Sequence, residues 1–236
     1  APYCTVPHPV PLAAPPAATL SLPRIEAAPK IDGDLSDPVW RDALPAGDFV
    51  RFGGDGPVVE RTEAWLATDG RSLFVAFRCH DARPELIRAS ETQRGGGGVG
   101  DDDHVQVRID SQHTHRAFST FTVNARGVQA ETLEGGTGAN WAWSGNWRAA
   151  ARRVDDGWAC EIEIPWKLLR YRKGARGFAL ALMRRVGRET NPVVWPPVPR
   201  PGQTEATLAP FLPDFSAPPL PDNPPRPVFL PFTLNT

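Results

Sequence analysis

The chain lacks a charge excess of either sign: 26 Lys and Arg stand against 27 Asp and Glu, for a formal net charge of -1 and an isoelectric point near 6.6. Binding a phosphate backbone needs a clear surplus of basic residues, and no basic arm supplies one locally, so a nucleic-acid partner is excluded. Long apolar runs are missing as well. None approaches the roughly 18 residues that span a bilayer, so the chain has no membrane-spanning helix. No signal segment remains at the N-terminus, and a start at Ala1 fits a processed chain. Cysteine is scarce: Cys4, Cys79 and Cys160 lie far apart without CxxC spacing. That spacing offers neither a thiolate zinc site nor a dithiol redox pair, and it allows at most one internal disulfide. Cys79 and Cys160 fall in strand-like stretches and read as small buried apolar side chains.

Catalytic signatures are also lacking. There is no GxSxG elbow, HExxH helix, phosphate-binding glycine loop or dinucleotide fingerprint. Glu161 and Glu163 could suggest glycoside hydrolysis, but at i and i+2 on one strand face they stand about 7 Å apart at the backbone, with no cleft evident around them. The chain reads as non-enzymatic.

What the sequence has in quantity is proline and glycine, 27 and 21 residues. Proline crowds the two ends, where its fixed φ and missing N–H prevent helix or central strand. This divides the chain into a proline-rich N-terminal extension (1–23), one packed domain (24–200) and a proline-rich C-terminal extension (201–236), with both extensions expected to be extended on the surface. Inside the domain, short β-runs alternate with turn residues. Ala64 to Cys79 reads as a hairpin about Asp69-Gly70. His104 to Asp110, Phe118 to Asn124, Val128 to Thr132, Trp147 to Val154, Trp158 to Ile164 and Gly177 to Arg185 follow as strands. Two short helical turns are predicted, one from Asp37 as N-cap with Pro38 at the first position, the other after Pro165. The fold class is therefore all-β, an antiparallel two-sheet sandwich. Gly95 to Gly98 and the Gly135-Gly136-Thr137-Gly138 run read as loops of the kind that border binding sites.

The order Ile31-Asp-Gly-Asp34, Asp37-Pro-Val-Trp40, Asp69-Gly70, Asp101-Asp-Asp-His-Val-Gln-Val-Arg-Ile-Asp110, Asn124-Ala-Arg-Gly127, Asp156-Gly-Trp158 and Glu163-Ile-Pro-Trp166 resembles carbohydrate-binding module family 9. The match runs over roughly residues 24–200. The resemblance implies a sandwich related to the DOMON domains, a ligand held between tryptophans, structural calcium and an extracytoplasmic location. Similar modules stand in front of outer-membrane barrel proteins, so the full-length product is expected to be able to carry further domains.

Eight tryptophans divide between core and ligand. Trp40, Trp158 and Trp166 lie in the resembling motifs and are expected to pack; Trp65 and Trp195 are open. In Asn140-Trp-Ala-Trp-Ser-Gly-Asn-Trp147, the i and i+2 spacing puts Trp141 and Trp143 on one face of an extended chain. Trp141, Trp143 and Trp147, with Asn140 and Asn146, are the candidate sugar site, with a core or edge role as the other reading. Asp101, Asp102 and Asp103 could supply the oxygen ligands that calcium prefers, or form a solvated acidic turn. His113-Thr-His115, with His104 on the preceding strand, admits a transition-metal site. Function reads first as a non-catalytic carbohydrate-binding module. The alternatives are an interaction or gating domain of a barrel protein and a haem-binding relative with Met183 as ligand.

Overall fold

The computed structural model describes residues 20–52, 56–135, 138–140, 144–171, 175, 177–197 and 214–216, with backbone only at 134, 135 and 138–140. Fourteen strands run β1 (Leu20–Ser21), β2 (Leu44–Ala46), β3 (Val50–Arg51), β4 (Thr62–Thr68), β5 (Ser72–His80), β6 (His104–Asp110), β7 (Ser119–Asn124), β8 (Gln129–Gly135), β9 (Gly138–Asn140), β10 (Arg148–Val154), β11 (Gly157–Pro165), β12 (Gly177–Arg185), β13 (Val193–Trp195) and β14 (Asp214–Ser216). They form a five-stranded sheet, β10-β11-β5-β4-β2, and a nine-stranded sheet, β1-β14-β12-β6-β7-β8-β9, in which β13 also pairs with β12 and β3 with β13. All the pairings are antiparallel except β1 with β14. The expected sandwich is present.

Period-two alternation makes the core. Leu73, Val75, Phe77 and Cys79 on β5, with Trp158, Cys160, Ile162 and Ile164 on β11, meet Val105, Val107 and Ile109 on β6 and Phe178, Leu180 and Leu182 on β12. The loop joining β4 to β5 shows its turn chemistry: Gly70 has φ +87°, and Asp69 Oδ1 accepts from the N–H groups of Arg71 and Ser72 at 2.7 and 2.8 Å. Both predicted helical turns are short 3-10 segments, Pro38–Arg41 and Trp166–Leu168. Asp37 holds the N-cap position of the first, its carbonyl accepting the Trp40 N–H at 3.2 Å, but its side chain makes no capping bond. Its carboxylate accepts the Lys30 N–H at 2.7 Å instead, tying back the incoming chain.

Each sheet is also covered on its outer face, which explains why its central strands carry so little exposed surface. Over the five-stranded sheet, Ile25, Trp40 and Ala43 pack on Ala67, Phe74 and Ala76. There Glu161, fully buried, accepts the N–H groups of Asp32 and Gly33 at 3.0 and 2.9 Å on one oxygen and Trp40 Nε1 at 2.9 Å on the other. Burial pushes the Glu161 carboxyl upward despite these donors. Glu163 engages Ser72 Oγ at 3.0 Å and Arg148. The carboxylate pair thus fastens the Ile31-Asp-Gly-Asp34 loop and the β10 edge.

The domain limits are wider than proline content indicates. Leu22 and Phe215 are core residues, and the Phe215 ring stacks on Phe178 at 5.5 Å. Residues 20–23 and 214–216 therefore belong to the sandwich, with the Pro23 carbonyl accepting the Thr68 N–H at 3.0 Å, and the other residues of the proline-rich ends lie outside the described residues, as does Cys4. Cys79 and Cys160 are both free and buried, and burial raises the Cys79 thiol to about 11. Trp40, Trp158, Trp166 and Trp195 are all buried, while Trp65 is half-buried on the outer face of the five-stranded sheet.

Candidate functional site

The glycine-flanked tryptophan segment returns to the sandwich beside β8, near one edge of the larger sheet. In the β7–β8 register Glu131 stands opposite Phe121, a core residue, so Gln129, Glu131 and Leu133 share the inward row. Val128 and Ala130 consequently point away, the reverse of what their hydrophobicity alone would assign. The inward carboxylate of Glu131 is 8% exposed and is held from two sides. Its Oε1 accepts from Arg94 Nη2 at 2.8 Å and from the Gly145 N–H at 3.1 Å. Arg94 Nη2 also donates to the Gly145 carbonyl at 2.5 Å.

Trp147 lies beneath this lattice. It is 2% exposed, sits edge-on to Phe121 with centroids 5.2 Å apart, and carries the Arg94 guanidinium 5.7 Å from its ring centre. Gln129 Nε2 donates to the Trp147 carbonyl at 3.1 Å, and the Gly95 N–H donates to the Gln129 carbonyl at 2.9 Å. The Gly95 loop and the tryptophan segment are thus pinned to one strand. Among the described residues, two polar atoms here are buried without partners: Glu131 Oε2 and Trp147 Nε1. Each costs roughly 1–3 kcal/mol for as long as it goes unpaired.

Of the sugar-site candidates, Asn146 is exposed and Asn140 ends β9, its backbone opposite Leu133. Trp141 and Trp143 lie outside the described residues. Trp147 takes the core role that was the other reading of this cluster: its indole forms a floor, because the turn at Gly145 brings it under Arg94 and against Phe121. Arg94, Gln129 and Glu131 were missed by sequence reasoning. The one signal for them is a carboxylate and an amide at i and i+2 on a strand leading into a glycine loop.

The acidic run does not gather into an ion site among the described residues. Asp101 is exposed. Asp102 is fully buried; its Oδ1 accepts the Ser90 N–H at 2.8 Å, and its Oδ2 accepts the Glu91 N–H and Asn124 Nδ2, each at 2.9 Å. Burial alone would raise this carboxyl, but these donors outweigh it and hold it below the usual range. Asp103 turns to the Arg88 N–H at 2.9 Å, and burial leaves its carboxyl raised. At Asp102 and Asp103 the loop is held by N–H donors. His104 is buried with Nδ1 3.0 Å from the Asp102 carbonyl, away from His113 and His115. Met183 is buried, its sulfur accepting from Arg108 Nη2 at 3.4 Å.

A second recess is lined by Val58, Val59, Glu60, Glu189 and Asn191. Of its lining, Glu60 pairs with Arg188, which also pairs with Asp81 behind it. No helix among the described residues is long and apolar enough to cross a membrane.

No protein-family model matches the sequence, and no curated protein matches it. Solved structures do share its fold. A family 9 carbohydrate-binding module from Caldicellulosiruptor kristjanssonii in complex with cellotriose superposes with a TM-score of 0.59 at 12% identity, over 90% of this chain and 100% of that one. A family 9 module from the same organism in complex with glucose gives a TM-score of 0.59 at 12% identity, over 87% and 98%. A protein from Bacteroides uniformis, provisionally named as carbohydrate-binding, gives 0.66 at 13% identity, over 86% and 100%. At these identities the likeness is one of fold, and the fold is that of carbohydrate-binding module family 9.

Proposed function

We propose that this chain is a non-catalytic, extracytoplasmic carbohydrate-binding module that takes a sugar or oligosaccharide beside β8. Trp141 and Trp143 stack on the apolar faces of the sugar rings, while Asn140, Asn146, Gln129 and Arg94 hydrogen-bond the hydroxyls. The observation that carries this reading is the fixed Arg94–Glu131–Gly145 lattice, which holds the tryptophan segment beside β8. The shared fold with modules solved in complex with cellotriose and glucose supports the same ligand class.

Calorimetric titration with glucose, cellotriose and a soluble glycan panel tests this. Trp141→Ala should lose about 1–3 kcal/mol of affinity, on the scale of one large apolar contact, without a change in melting. Trp147→Ala should lower stability by about 3–5 kcal/mol, as core Trp truncations do. If no glycan binds, or if Trp141→Ala melts as low as Trp147→Ala, the sugar reading fails and a protein-interaction or gating role takes its place.

A further inference from the structure

The β6–β7 loop and the C-terminal strand together assemble a set of ligands that the sugar site does not use. His113 Nε2 lies 2.7 Å from Asp214 Oδ1, and His115 Nε2 lies 3.2 Å from the same oxygen. Their ligand atoms all fall within 4.8 Å of one another, and among the described residues this is the single such group. The sheet register explains the convergence. Ala179 on β12 is opposite Asp110 on one side and Asp214 on the other, so both aspartates stand in one row on the outer face. Asp110 accepts the His115 N–H at 2.5 Å and so anchors the loop above that row. Both histidines adopt left-handed backbone angles, φ +55° and +54°, in place of the extended chain expected from sequence.

We propose that His113, His115 and Asp214 bind a divalent transition-metal ion, zinc being the best match, as a clip between the β6–β7 loop and β14. Two imidazoles and one carboxylate suit a borderline cation rather than calcium, and water takes the fourth position. In a tetrahedral site with bonds of about 2.0–2.1 Å, ligand atoms sit roughly 3.3 Å apart. The observed 2.7 and 3.2 Å need only a slight opening to reach that spacing. The His113 side chain is 41% exposed and the Asp214 side chain 37%, so the ion has a path from solvent. The clip joins positions 101 residues apart in sequence, which fastens the C-terminal strand to the body of the sandwich.

The test uses the full chain stripped with chelator and titrated with zinc alone at pH 7.5, followed by melting with and without zinc. One equivalent should bind, raise the melting temperature and slow amide exchange at residues 214–216. His113→Ala, which removes an exposed side chain, should keep the metal-free melting temperature yet lose more than about 100-fold in zinc affinity, beyond the 10- to 100-fold typical of outer-shell partners. Asp214→Asn should behave likewise, with circular dichroism checking its fold. The proposal is overturned if the wild-type chain binds no zinc, or if His113→Ala binds it equally well, in which case the cluster is a His–Asp ion pair.

Discussion

At the level of single residues, buried carboxylates hold this sandwich's loops, and they respond to pH in opposite directions. Asp102 has a folded pKa below its ordinary value because Ser90, Glu91 and Asn124 donate to its charged form. Its stabilising contribution is therefore complete above the ordinary carboxyl pKa of 3.8 and is lost as pH falls through the lowered folded value. Asp103 and Glu161 are raised by burial, so their contributions fade as pH climbs through their folded values. Asp102→Asn isolates the first effect, since its amide group must face donors that the carboxylate accepted. It should cost about 1–3 kcal/mol at pH 7, and its deficit against wild type should shrink as pH falls below 3.8. Thermal melts of the two proteins across that range check it; a constant gap would show that the Asp102 charge contributes nothing. The same residue explains a misreading at this scale. Three consecutive aspartates look alike in sequence, and only the partners brought by residues 88–91 and by Asn124 separate an exposed acid from two buried ones.

Among the elements, what could be read locally was read correctly, and what depends on distant partners could not be. The β4–β5 loop, β6, β10, β11 and β12 announce themselves by alternation and by Asp-Gly chemistry within a few residues. Strands β1, β3, β13 and β14 span only two or three residues each. They exist because of pairing, so no local pattern marks them. The site divides in the same way: spacing grouped the three tryptophans, but the burial of Trp147 and the inward turn of Glu131 follow from register against Phe121. Glycines in the two clearest turns also differ in a way that sequence does not reveal. A Cβ at Gly157, φ +140°, would lie 2.0 Å from the Cys79 carbonyl oxygen, backbone that cannot yield. At Gly70, φ +87°, the nearest group is the Arg24 side chain at 3.7 Å. Gly157→Ala should therefore cost about 3 kcal/mol or more, and Gly70→Ala about 1–2 kcal/mol from backbone conformation alone. Denaturant unfolding of both variants measures the difference; equal losses would mean that β11 can shift away from β5.

For the whole molecule, the sandwich is closed by chain that composition had assigned to linkers. Phe215, stacked on Phe178 and 6.2 Å from Trp195, fills the core next to β12. Phe215→Ala should lower stability by about 3–5 kcal/mol, and a fragment ending at residue 200 should melt well below the full chain. An unchanged midpoint in urea for Phe215→Ala would place β14 outside the folding unit. The parallel pairing of β1 with β14 has a mechanical consequence. Residue 20 enters at one end of that pair and residue 216 leaves at the other, with the Leu22 N–H donating to the Ser216 carbonyl at 3.0 Å. A pull along the chain therefore drives the two strands past each other in shear. Their hydrogen bonds share the load together and do not peel open one by one, so the rate of forced unfolding is set at this edge.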